Sequence, residues 1–168
     1  MRRKTSGGTV IRRLIVLSLL AGCSKGGWAE VSGSIAEVDF NEVKTVFHGG
    51  SYILLFDEEV DCLDVSWAEG SYQDGEAPTD VAFNALQFRT DNDSFTVGTF
   101  SVEGNGEVSA QGLLNATDEF RTERGRQGTV TIDEVAENDS TIEGTFDVEF
   151  TEGSVSGEFH TEFCRNLH

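Results

Sequence analysis

In the last third of the chain, apolar and polar side chains alternate with a period of two. Ile142, Phe146, Val148 and Phe150, with Gly144 among them, share one face; Glu143, Thr145, Asp147 and Glu149 share the other. Over 154–163, Val155, Phe159 and Phe163 alternate with Ser154, Ser156, Glu158, His160 and Glu162. Just upstream, Val130 and Ile132 alternate with Thr129, Thr131 and Asp133. A period of two describes half-buried strands with one wet face. Glu152-Gly153 reads as a hairpin turn and Asn138-Asp139 as the turn before it. The pattern predicts three successive antiparallel strands.

The front half is less regular. Short strands are expected over 35–40 and 43–47. Tyr52–Phe56 is apolar on both faces, as a central strand covered on both sides would be. The stretches 81–89 and 95–102 change phase midway, and Gly98 marks a bulge or bend. Val108, Ala110 and Leu114 continue the strand pattern. Residues 57–69 mix acidic and apolar positions around Cys62, which suits a short helix or loop. Residues 70–80 carry Gly70, Gly75 and the only proline, Pro78, and predict a loop; 117–128, with Arg121, Arg124 and Arg126, predict a charged loop or strand edge. The expected fold is all-β, an antiparallel β-sandwich or small barrel of about 8–10 short strands.

The N-terminus breaks this pattern. Arg2, Arg3, Lys4, Arg12 and Arg13 precede an apolar run over 14–20, which ends in Ala21-Gly22 and Cys23. A basic start, a short apolar segment and a small-residue cleavage site predict a helical secretory signal peptide. The apolar run is too short for a transmembrane helix, which needs about 20 residues. Leu20-Ala21-Gly22-Cys23 closely resembles the lipobox of bacterial lipoproteins. That resemblance implies cleavage before Cys23 and a diacylglyceryl group on its thiol. Two or more acyl chains anchor stably, at about 0.8 kcal/mol per buried methylene. Ser24, by the same resemblance, favours the outer over the inner membrane. Arg12-Arg13 is loosely similar to a twin-arginine export signal. The chain therefore divides into a signal peptide (1–22), a lipidated N-terminus with a Gly- and Ser-bearing flexible tether (23–33), and a single acidic β domain (34–168). Residues 128–164 are similar to the ending of many uncharacterised small β-rich Gram-negative lipoproteins, through Gly128-Thr129-Val130, Gly144-Thr145-Phe146-Asp147-Val148, Val155-Ser156-Gly157-Glu158-Phe159 and a closing Cys164.

Charge then narrows the partners. The chain has 12 basic and 30 acidic residues, net −18 at pH 7. Five of the basic residues and none of the acidic ones lie in 1–22, so seven against thirty remain after it, net −23. Such a balance argues against nucleic acid, whose phosphates demand Lys and Arg, and against anionic headgroups. It fits a salty habitat, bound divalent cations or repulsion from a polyanionic envelope.

With Cys23 lipidated, Cys62 and Cys164 remain as an even pair, which in an oxidising compartment predicts a disulfide. The three histidines, His48, His160 and His168, stand apart. His48-Gly49-Gly50-Ser51 reads as a turn, and no nucleophile elbow accompanies it. H-E-x-x-H, C-x-x-C and phosphate-cradling motifs do not occur. Asp57, Glu59, Asp61, Asp91 and Asp93 are weak candidates for Ca2+, although Phe95 and Val102 occupy positions where an EF-hand needs ligands. No resident cofactor is expected. The expected function is that of a lipid-anchored cell-envelope lipoprotein with a non-enzymatic structural or interaction role. A small-molecule or divalent-cation binding β-barrel is the alternative, and a hydrolase a third reading.

Overall fold

The computed structural model describes residues 27–67, 83–103, 106–116 and 119–167. The expected signal peptide, Cys23 and the whole 70–80 loop region lie outside them. The described residues form twelve strands in two six-stranded sheets. One sheet holds β1 (Trp28–Ile35), β2 (Val38–Asp39), β6 (Gly98–Ser101), β9 (Gln127–Val135), β10 (Ile142–Glu149) and β11 (Gly153–His160), in the order β2-β1-β11-β10-β9-β6. The other holds β3 (Thr45–Gly49), β4 (Tyr52–Phe56), β5 (Ala85–Thr90), β7 (Val108–Ala116), β8 (Glu119–Arg124) and β12 (Glu162–Phe163), in the order β12-β3-β4-β5-β7-β8. Every pairing is antiparallel except β12 on β3. The sheets pack face to face, so the architecture is a sandwich and not a barrel. The two strands beyond the expected number are the two-residue pieces β2 and β12.

The alternation in β10 appears as strict buried–exposed alternation along its eight residues. Its inner residues Phe146 and Val148 meet Val155 and Phe159 of β11 and Phe88 of the opposite sheet. The rings of Phe88, Phe146 and Phe159 form a cluster, with centroids 5.1 Å apart for 88–146 and 6.3 Å for 146–159. Tilted and offset aromatic pairs of this kind add about 0.5–1.5 kcal/mol beyond area burial. Gly144 makes room for them: a Cβ there would lie 2.9 Å from the Phe159 ring. A bulge follows, because Glu143 pairs with Glu134 but Gly144 pairs with Ile132, leaving Asp133 as the extra residue.

Tyr52–Phe56 is the covered central strand that its composition predicts. Ile53 and Leu55 join the core between the sheets, while Leu54 and Phe56 belong to a second apolar cluster on the outer face. That outer cluster lies under the 3-10 turn Cys62–Trp67 and the C-terminal tail, through Val65, Cys164 and Leu167. The Cys62–Cys164 disulfide clamps the two covering segments together, with Cα atoms 5.5 Å apart.

Three expectations are corrected. The flexible tether over 24–33 is strand from Trp28, because Ala29 and Val31 pack against the core and all eight β1 residues pair with β11. The strand expected over 35–40 is broken by a two-residue turn at Ala36-Glu37, both left-handed at φ 47° and 71°. The strand expected over 95–102 starts only at Gly98, where φ is 152°, and Phe95 packs into the core from the preceding loop. The described part of the charged 117–128 region, from Glu119, is an edge strand, β8, followed by the start of β9.

Candidate functional site

The space between the sheets is filled by side chains, among them Phe40, Ile53, Leu86, Phe88, Val130, Ile132 and Phe159, all almost fully buried. The depressions lined by described residues lie outside this core.

At the end where β1 begins, Thr161 leads the chain from the first sheet into the second. Its hydroxyl oxygen accepts from the Ile142 amide at 2.9 Å and lies 2.7 Å from His48 Nδ1. His48 Nε2 lies 2.9 Å from the Asp139 carbonyl, which can only accept. The partners fix the tautomer: Nε2 carries the proton, and Nδ1 accepts from Thr161. Burial pushes the His48 pKa down, opposed by the bond to the Asp139 carbonyl. A neutral histidine locked between two sheets is a corner-piece of the fold; the turn expected over His48-Gly49-Gly50-Ser51 is confined to Gly50-Ser51, because His48 and Gly49 pair with Ile53 and Tyr52 as the end of β3. His160 lies outside, 2.8 Å from a Glu143 carboxylate oxygen and stacked on Trp28 at 6.2 Å.

The cation candidates are dispersed. Asp57 is engaged by Asn84, whose amide nitrogens donate to its two oxygens at 2.7 and 2.6 Å. Asp61 accepts from the Leu63 amide at 2.9 Å, a local turn bond. Glu59, Asp91 and Asp93 are exposed. Among the described residues no three His, Cys, Asp or Glu side chains are grouped to hold a metal ion.

Two surface depressions lined by described residues stand out. A broad, shallow groove of about 680 Å³ runs between β1, β11 and the 41–43 loop, and its charged lining is Glu30, Glu42 and Glu158. A deeper hollow of about 250 Å³ lies over β5, β7 and β8, on the second sheet's outer face beside the apolar cluster under the disulfide-linked segments. Strand register builds it. Gln87 is opposite Gln111, and Gln111 is opposite Arg124. One step along, Arg89 is opposite both Tyr52 and Ser109, and its guanidinium lies 5.6 Å from the Tyr52 ring centre. None of these residues was a candidate site residue in the sequence, because they sit on separate strands and only the register joins them.

Comparison with known proteins finds no match: no family model, no curated sequence and no solved structure is similar to this chain.

Proposed function

We propose that the chain is a lipid-anchored cell-envelope protein, held at a membrane through Cys23, with a non-enzymatic interaction role for its sandwich. The observation that carries this reading is Leu20-Ala21-Gly22-Cys23 directly behind a basic, then apolar, leader. The disulfide fits it, since such bridges persist in oxidising compartments outside the cytoplasm. So do the surroundings of the first strand. Trp28, five residues beyond Cys23, is 52% exposed, and Phe163, three residues beyond the Trp28 partner His160, is 48% exposed. Five residues of extended chain reach at most about 18 Å, so a lipid on Cys23 holds this end close to the bilayer. Tryptophan and other aromatic residues favour that interfacial depth. Ser24, following the cysteine, supports the outer membrane as the destination.

Metabolic labelling with a fatty acid, followed by fractionation, tests the reading. Wild type takes up label and sediments with membranes; Cys23→Ala does neither. Label retained by the variant, or a mature chain beginning at another residue, refutes it.

A further inference from the structure

We propose that the hollow over β5, β7 and β8 is a binding site for a carboxylated saccharide, a uronic acid or a chain ending in one. The floor of the hollow is Gln87, only 9% exposed. Among the described residues its side-chain amide has no hydrogen-bond partner. Buried amides are nearly always satisfied, and an unsatisfied one is costly. A sheet face that needed only stability would place an apolar residue here, as it does next door at Leu54 and Leu113. Gln87 is thus a polar group held in readiness for something that enters the hollow.

The surrounding residues define the entrant. Arg89 and Arg124 both line the hollow, opposed by a single carboxylate, Glu103. In a chain with 30 acidic and 12 basic residues, a concavity with net positive lining selects for negative charge. Guanidinium forks match carboxylates in bidentate geometry. Arg89 is steadied by the Tyr52 ring beneath it. Charge alone does not complete the site, because Gln87 and Gln111 each present an N–H donor and a carbonyl acceptor. A bare anion offers the carbonyls nothing. Sugar hydroxyls donate and accept at once and satisfy both ends of both amides. The volume, about 250 Å³, falls just below that of drug-sized pockets and suits one sugar ring. The site is independent of the lipid anchor and stands or falls without it.

The full chain, purified in detergent, is titrated with D-glucuronate while the glutamine side-chain amides are followed by NMR. The controls are methyl glucoside, which has hydroxyls without the carboxylate, and acetate and inorganic phosphate, which have charge without the ring. Glucuronate should shift the Gln87 and Gln111 amides in the millimolar range, with each control at least tenfold weaker. Arg124→Gln, on an exposed strand position, should weaken glucuronate at least tenfold. Gln87→Leu should abolish binding and leave the melting temperature unchanged or raised, because it removes an unpartnered polar group. No shift with glucuronate overturns the proposal. So does phosphate or acetate binding equally well, and so does a Gln87→Leu protein that melts lower yet still binds.

Discussion

Replacing both bridge cysteines, as Cys62→Ala with Cys164→Ala, should be the most damaging change outside the inter-sheet core. The bridge spans 102 residues of sequence, so it closes most of the domain into one loop. For a loop near 100 residues, chain entropy gives about 4.7 kcal/mol at 25 °C, all of it acting on the unfolded state. Small domains have a total stability of about 5–15 kcal/mol, so this is a third of it or more. At about 3–4 °C per kcal/mol for a domain of this size, the melting temperature should fall by roughly 15 °C. A local effect adds to the global one. Cys164 is fully buried beside Leu54, Phe56 and Leu113, and the bridge holds both segments that cover them. Guanidinium melts of the oxidised wild type and the double variant separate the two contributions. Loss of the cross-link should raise the m value, because a free unfolded chain exposes more surface than a looped one. Limited proteolysis should meanwhile cut first within 57–67 or after residue 160. A midpoint within about 2 °C of wild type, with unchanged m, would refute the entropic account.

Two further outcomes follow from backbone and titration. His48 has its pKa lowered by burial, so between its folded value and the ordinary 6.5 the unfolded chain binds the extra proton. Its stabilising effect is complete above about pH 6.5 and is lost as pH falls below that. Thermal midpoints of wild type should drop between about pH 7.5 and 5.5, above the usual carboxylate range, whereas His48→Asn should be nearly flat there; equal slopes would exclude His48 as the cause. Glu37, exposed and left-handed at φ 71°, carries a conformational cost that glycine lacks. Glu37→Gly should therefore stabilise by about 0.5–1 kcal/mol in a denaturant melt, and a destabilised variant would contradict the strain at that turn.

The parts of the fold that were legible in the sequence share one physical trait. In β9, β10 and β11 one face meets the core and the other meets water, so the pleat is written directly as alternation. In β4 both faces are covered, and the uniform apolar run says so. Where legibility failed, the backbone carried information that side chains did not. β1 buries only small or medium residues, Ala29, Val31 and Ile35, and its glycine and serine positions mimic a linker. Its stability comes from eight cross-strand pairings with β11, a partner more than 100 residues away in sequence. The Ala36-Glu37 reversal lacks the Asn-Gly chemistry that such turns favour. It is held from outside, where Arg121 Nη2 donates to the Ala36 carbonyl at 2.6 Å.

The hollow shows why a site can be invisible in sequence and still be built by it. Gln87 sits within Ala85–Thr90, where an isolated glutamine among apolar residues looks like a lapse in a strand pattern. Gln111, 24 positions later, and Arg124, 13 beyond that, look like ordinary wet-face residues. The antiparallel neighbours β5-β7-β8 place all three in one row across the sheet. Beside that row, the described bridge-bearing segments pack on the outer face of the same sheet. They pack on Phe47, Leu54, Phe56, Ala85 and Leu113, while Gln87, Gln111 and Arg124 line the hollow. The disulfide clamps the cover over the apolar part of this face, and the polar row lies beside that part. Reducing the bridge should therefore loosen the sealed region first, while the strand register that sets Gln87 beside Gln111 and Arg124 persists until the sandwich itself unfolds.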